Sequence, residues 1–254
     1  MAGSKAPLIE IQALTTTHQF REAVGLQKAI WGFDEIELLP VRLFVTATKV
    51  GGQAFGAYHS GRMVAFCLSI PGLKQGSKPY LHSHMLGVLP EFRDSGIGRR
   101  LKLRQREDAI ARDIDLIEWT FDPLEIKNAY FNMERLGAIV RRFVRNQYGV
   151  TSSRLHAGLP TDRCTAEWWV KSDRARAVIE GIPYARPAAV DRVSVPANIA
   201  EIKAAQPDDA RTIQSQLADK LEAAFAGGLA IIGVERSADA TVYLLGEAGP
   251  GEIS

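Results

Sequence analysis

Apolar residues recur along this chain at helical spacing in some stretches and at strand spacing in others, and the changes of period mark its elements. Residues 9–14 read as a short strand, after which Thr17 can cap a helix whose apolar positions Phe20, Val24, Leu26 and Ile30 carry it to Trp31. Pro40 suits the first turn of a second helix over 41–50. Gly51 and Gly52 end it, because glycine takes the left-handed conformation common at helix stops. The runs 54–59 and 63–70 flank Ser60-Gly61 and predict a β-hairpin, closed by Pro71 and Gly72. Segment 80–89 alternates less cleanly and ends at Pro90, which predicts a strand buried on both faces. A glycine loop follows. Then Ile97, Leu101, Leu103 and Ile110, set among charges, predict an amphipathic helix over 98–112 and a strand over 115–121. Asp122-Pro123 starts a turn, 124–136 reads as a helix stopped by Gly137, and 138–148 and 165–170 as two further strands.

Beyond Lys171 charged residues and prolines dominate through Pro196, the pattern of a boundary. A helix from about 207 to 225 then ends at Gly227-Gly228, and 229–234 with 241–245 form a hairpin pattern. The expected organisation is a domain over 1–172, a linker or boundary segment over 173–196 and a small C-terminal α/β unit over 197–254. No repeat or low-complexity tract is visible.

Composition narrows the function classes. The apolar fraction of 46% and charged fraction of 24% are those of a globular chain, not a disordered one. Apolar runs such as 229–234 fall far short of the roughly 20 residues of a membrane helix, and no basic segment leads into an apolar one at the start. The expectation is a cytoplasmic protein without membrane contact. A net charge of +2 gives no argument for a nucleic-acid partner. Locally, though, Arg93, Arg99, Arg100, Lys102, Arg104 and Arg106 crowd one short stretch. Cys67 and Cys164 lack the spacing and histidine neighbours of a zinc site and read as reduced, buried thiols, with no metal expected.

A glycine loop between a strand and a helix can aim consecutive N–H groups at an anion, where the helix N-terminus adds favourable partial charge. Gly96 and Gly98 would let a phosphate approach the backbone. Such a loop alone reads equally as an ordinary turn. Here, however, Val88-Leu89-Pro90-Glu91-Phe92-Arg93-Asp94-Ser95-Gly96-Ile97-Gly98-Arg99-Arg100-Leu101 resembles, almost position by position, the acyl-CoA signature V-x-P-x-x-[RQ]-x-x-G-[IVL]-[GA] of the GNAT superfamily of N-acyltransferases. The resemblance runs on through Met133-Glu134-Arg135-Leu136-Gly137-Ala138 and covers residues 9–170 in the family's order of elements. The His-Ser-His-Met-Leu-Gly-Val and Trp-Thr-Phe-Asp-Pro-Leu segments are also similar to a poorly characterised group of GNAT proteins.

The resemblance implies an α/β (α+β) GNAT fold: a central, mixed, mostly antiparallel, splayed sheet flanked by helices, here with the C-terminal helix and hairpin added. It implies acetyl-CoA as acyl donor. The diphosphate would sit on the amides from Arg93 through Asp94, Ser95, Gly96, Ile97 and Gly98 to Arg99. The pantetheine arm would run along the strand end at Val88, in a wedge between strands 80–88 and 115–121, with Asn128 bridging to it. Arg99, Arg100 and Arg104 could meet the 3′-phosphate, and a solvated helix face is the alternative for Arg104 and Arg106.

Acetyl transfer to an amine needs a base for the ammonium and an acid for the leaving thiolate. In many GNAT enzymes a glutamate on the central strand is the base, and its place corresponds to His84, whose imidazole suits the task; His84 and its neighbour His82 also read as structural. The family's acid is a tyrosine at the position of Met133, a departure that leaves Tyr130, one turn earlier, as the candidate for the sulfur or a core residue. Asp122 reads as a ligand of the site or as a turn residue. Trp31, Phe33, Asp34 and Glu35 could line the acceptor pocket. Arg141, Arg142, Arg145 and Asn146 could hold an acceptor carboxylate, or charge a sheet edge against aggregation. The implied activity is an acetyl-CoA-dependent N-acetyltransferase acting on a small-molecule amine, with a homodimer compatible with it. The alternative is an acyl-CoA-binding module without turnover.

Overall fold

A computed structural model of the protein describes residues 9–74, 78–149 and 158–249; the outer ends of the two expected domains, 1–8 and 250–254, lie outside the described residues. The chain forms two compact units that meet in sequence between Ile117 and Glu118.

The first unit is built on four strands, β1 (Ile9–Ala13), β2 (Gln53–His59), β3 (Arg62–Gly72) and β4 (Tyr80–Val88), each antiparallel to the next. Helices α1 (Thr17–Trp31) and α2 (Val41–Lys49) connect β1 to β2. Thr16, not Thr17, caps α1: its hydroxyl accepts from the Gln19 N–H while the Gln19 side chain accepts from the Thr16 N–H, and Gly32 ends the helix at φ 68°. Phe20 and Ala23 of α1 and Phe44 and Ala47 of α2 bury against Met63, Phe66 and Leu68 of β3. Phe55, Val64 and Cys67 form a separate cluster with Ile97 and Leu101 of α3 (Ile97–Ala111). Both cysteines are free and buried, and burial pushes the Cys67 thiol up to about 12.

Two expectations change here. The segment 80–89 is not buried on both faces, since β4 alternates and leaves His84 exposed. The buried face of α3 is Ile97, Leu101, Gln105 and Ala109 with Lys102, while Leu103 is half-buried and Ile110 exposed. A strict spacing of four residues overrides the plain apolar count, because polar partners await Lys102 and Gln105 on the sheet.

The second unit carries the larger part of β5 (Leu116–Phe121), then β6 (Ile139–Val144), β7 (Arg163–Trp169), β8 (Asp191–Pro196), β9 (Ala230–Arg236) and β10 (Ala240–Gly246). Their order is β5-β7-β6-β9-β10-β8, and the registered pairs β6/β7, β6/β9, β9/β10 and β10/β8 are antiparallel. Helix α4 (Ile126–Tyr130) passes into a π-helical turn, Phe131–Arg135, where one unbroken helix to 136 was expected. The stretch 173–196 contains α5 (Asp173–Glu180), capped by Ser172 and ended by Gly181, and β8. Helices α6 (Ile199–Ala205) and α7 (Pro207–Ala226) follow, and α6 sends Lys203 to Asp122 (3.4 Å) and Glu125 (2.8 Å). Mixed α/β architecture with mostly antiparallel strands and flanking helices is as expected. Among the described residues no helix is long and apolar enough to cross a membrane.

Arg174 of α5 is 1% exposed, and its guanidinium donates to the carbonyls of Met133 (3.3 Å), inside the π turn, and Gly137 (3.1 Å), just past it, at a helix end that leaves carbonyls without helical donors. Replacing it by leucine orphans both carbonyls; Arg174→Leu should destabilise the protein by about 2 to 3 kcal/mol. A thermal or urea melt coincident with wild type would sink this assignment.

Candidate active site

The loop after β4 takes its shape from the main chain. A 3-10 turn, Pro90–Phe92, follows Leu89, and the Arg93 N–H donates to Pro90 O (3.2 Å). Asp94 and Gly96 then take left-handed conformations at φ 58° and 82°. The first internal bond of α3 runs from Arg100 N to Gly96 O (3.1 Å), so the N–H groups of Ile97 and Gly98 belong to the donor-rich first turn. A Cβ at Gly96 would meet no atom within 4 Å and one at Gly98 only Leu86 and Val88 beyond 3.6 Å, so the glycines leave the turn open for an anion to approach the backbone.

The side chains around the loop are less free than a basic cluster suggests. Arg93 donates from Nε to Val88 O and from its terminal nitrogen to Ile30 O, both at 3.5 Å, and so braces the loop while its amide serves Pro90. Arg100 reaches Ile9 O at 2.8 Å. Arg104 pairs with Glu107 (3.3 Å) and lies 5.3 Å from the Phe55 ring centre. Of the expected phosphate contacts, the Arg93 amide and the Arg100 side chain thus have partners within the chain, and Arg104 has one on its own exposed helix face.

Upstream, β4 carries a bulge. Leu68 faces Met85 and the next residue of β3, Ser69, faces Ser83, which leaves His84 as the extra residue. His84 keeps an exposed edge, yet the protein around it excludes enough water to hold its imidazole below the usual value. The His82 ring lies 5.8 Å away. Gly87 admits the end of α1, since a Cβ there would fall 2.5 Å from the Trp31 ring. Trp31 stacks on Phe33 (5.6 Å) and meets Phe66 edge-on (6.0 Å), which makes it a packing residue; Asp34 and Glu35 are exposed.

A directed chain of hydrogen bonds lies beneath this bulge. Lys102 Nζ donates to Ser83 Oγ (2.9 Å), Ser83 to Gln105 Oε1 (3.2 Å), Gln105 Nε2 to Ser69 Oγ (2.6 Å), and Ser69 to Gln53 Oε1 (3.0 Å). Gln53 Nε2 completes it on Gln105 O (2.9 Å) and Asp108 Oδ2 (2.8 Å). Burial pulls the Lys102 amine down to about 7.

In the second unit, Asn128 is exposed on α4, and the Tyr130 ring lies 5.4 Å from the Arg236 guanidinium. Met133 is fully buried. Asp122 accepts from Leu124 N (2.8 Å) as a turn residue and also pairs with Lys203. Arg141 is the extra residue of a bulge in β6 and Arg142 the next paired one, and both reach the buried Glu167 (Nε distances 3.0 and 3.2 Å); Arg142 also pairs with the buried Glu118. Arg145 binds Asp219 and Glu222 of α7. The Asn146 side chain accepts from Thr161 N. Strand β6 lies between β7 and β9, so neither a charged sheet edge nor a set of uncommitted acceptor-binding cations describes these residues.

The fold is similar to that of three solved acetyltransferases. They are the ribosomal-protein-S18-alanine N-acetyltransferase from Escherichia coli (TM-score 0.50, 16% identity, 64% of this chain and 94% of that one), a protein assigned to the GNAT acetyltransferases from Desulfovibrio desulfuricans (0.52, 14%, 64% and 99%) and a GNAT acetyltransferase from Streptococcus pneumoniae (0.50, 11%, 63% and 98%). The chain has a GNAT acyltransferase-like fold. At these identities the likeness is one of fold. No protein-family model matches the sequence, and no curated protein matches it significantly.

Within this GNAT-type architecture, the residues the sequence did not reveal are Gln53, Ser69, Ser83 and Gln105. Their only signal was polarity inside apolar strands and at the 97/101/105/109 positions of a helix. Lys102 has a measurable consequence. The unfolded chain keeps its lysine proton to about pH 10.4, whereas the folded chain releases it near 7. Between those values unfolding takes up a proton, so this residue makes stability rise with pH; below about 7 the folded state carries the full cost of the buried cation. Lys102→Met should therefore stabilise the protein by about 1 to 3 kcal/mol in acid, with the gain shrinking as pH rises from 6 to 9. Paired melts of constant difference across that range would refute it.

Proposed function

We propose that this protein is an acetyl-CoA-dependent N-acetyltransferase that transfers the acyl group to the amine of a small molecule. The observation that carries the proposal is the open turn Arg93–Gly98 with left-handed Asp94 and Gly96 at the head of α3, in a GNAT-type fold. The amides of the first turn, Ile97, Gly98 and Arg99, suit a diphosphate. The donor supplies the acyl thioester. Asn128 keeps its implied role toward the pantetheine arm and Tyr130 its role toward the sulfur.

His84 is the proposed base. An imidazole held below its usual pKa is neutral at pH 7 and ready to take an ammonium proton, directly or through water. The bulge withdraws it from regular pairing with β3. One observation favours the second reading, an acyl-CoA-binding module without turnover: Met133, at the family's tyrosine position, is fully buried and offers no acid.

Aspartate tolerates a left-handed backbone better than most residues, so Gly96→Asp should leave the fold intact while placing a carboxylate where the diphosphate docks. Calorimetry with CoA should show affinity falling about a hundredfold, roughly 2.7 kcal/mol; an unchanged Kd removes the loop from the site. With an amine identified by CoA release, kcat/KM should be flat above about pH 6.5 and decline only at lower pH, and His84→Ala should abolish that limb. An identical profile in the variant excludes His84 from the chemistry, and binding of acetyl-CoA without release against any amine favours the binding module.

A further inference from the structure

We propose that Gln105 is a positioning residue for His84, holding the β4 bulge in register from beneath the sheet. The positioning itself stands on the geometry of the first unit; its relevance to turnover rests on the acetyltransferase reading.

The side-chain amide of Gln105, 0% exposed, accepts from Ser83 Oγ at 3.2 Å and donates to Ser69 Oγ at 2.6 Å. Those serines are cross-strand partners, and they form the last regular pair before the bulge: one step along β3, Leu68 faces Met85, and His84 is passed over. A strand rises about 3.3 Å per residue and alternates its faces. Closing the bulge by a one-residue slip would therefore carry Ser83 away from Gln105 and Lys102 and turn the serine toward the opposite face. The Ser83 hydroxyl would lose both its partners, Lys102 Nζ and Gln105 Oε1, in a buried setting where each orphaned group is costly.

The clamp is also fixed at its far ends. Gln53 ties Ser69 back to Gln105 O and to Asp108, and Asp108 pairs with Arg112, which in turn donates to Gly51 O (2.6 Å). Each hydroxyl in the chain both donates and accepts, so every member restricts the rotamer of the next. Gln105 lies two turns along the helix that begins at the glycine loop. It thus couples the placement of that helix on the sheet to the placement of the bulge. The titratable and charged groups facing this region are His82 beside His84, Cys67 and Lys102 beneath the strands, and Asp108 with Arg112 at the end of the chain.

The test is an NMR titration of the His84 imidazole in the full chain, comparing wild type, Gln105→Met and Ser83→Ala, with Gln214→Met as control. Gln214 is a buried glutamine of α7 that donates to Pro160 O, remote in sequence from the bulge and absent from its clamp. In Gln105→Met and Ser83→Ala the His84 resonance should move and its titration should rise toward about 6.5, the unperturbed value. In Gln214→Met it should stay at the wild-type position even if stability falls. Should Gln105→Met fail to fold, Ser83→Ala, which removes one hydroxyl, carries the same comparison. A His84 titration in both variants that superimposes on wild type, or an equal shift in the control, overturns the proposal. With an amine substrate in hand, kcat should fall about tenfold or more while KM for acetyl-CoA holds; a displaced His84 with unchanged kcat would leave the positioning intact and defeat His84 as base.

Discussion

The hydrogen-bonded docking of α3 onto β2, β3 and β4 is the constraint on which the rest of the first unit depends. A helix that must present its N-terminal amides to a ligand needs a fixed axis and rotation relative to the sheet below it. Apolar contacts of Ile97, Leu101 and Ala109 supply burial but are non-directional. Lys102 and Gln105 add direction, because each finds its partners at only one rotation of the helix and one register of the strands. The same side chains therefore specify where the loop sits on α3 and where the bulge falls on β4.

The second unit solves a related problem with buried charge. Its helix α4 ends in a π turn, and the helix end leaves carbonyls to be met from elsewhere in the chain. Arg174 reaches them from α5. At the other end, Lys203 of α6 holds Asp122 and Glu125, and the Tyr243 hydroxyl of β10 donates to Pro123 O. Glu134 accepts from Val234 N of β9 (2.8 Å) and pairs with Arg186 (2.6 Å). The segment 122–135, which carries Asn128 and Tyr130, is thus braced by residues from 174 to 243. The C-terminal third of the chain contributes support to the region where the family resemblance places binding residues.

What could be read from the sequence follows from how local each signal is. The glycine loop was legible because a left-handed turn at the head of a helix is written in adjacent residues. The β-hairpins and α1 were legible for the same reason, although Thr16 rather than Thr17 takes the cap because its partner Gln19 stands three residues on. The polar chain was not legible, since Gln53 and Gln105 are 52 positions apart and each alone looks like a surface residue. Arg174 hid α5 similarly, as one arginine among charges, even though Ser172 and Gly181 marked both helix ends. The arginines at β6 misled in the opposite direction: their number suggested a charged edge, but Glu167 of the adjacent β7 and Glu118 of β5 pair with Arg141 and Arg142.

Turnover and mere binding make different demands on this architecture, and the difference favours chemistry at β4. Gripping a diphosphate requires the turn, its glycines and a docked helix. It does not require a bulge that takes His84 out of the β3 pairing, nor surroundings that lower the basicity of its imidazole. Each of these departs from what packing alone would select, and such departures cluster where a fold serves a reaction. The buried Met133 offers no conventional acid, but a thiolate is a good leaving group that departs without full protonation, so the proposed base at His84 and proximity would be enough for transfer.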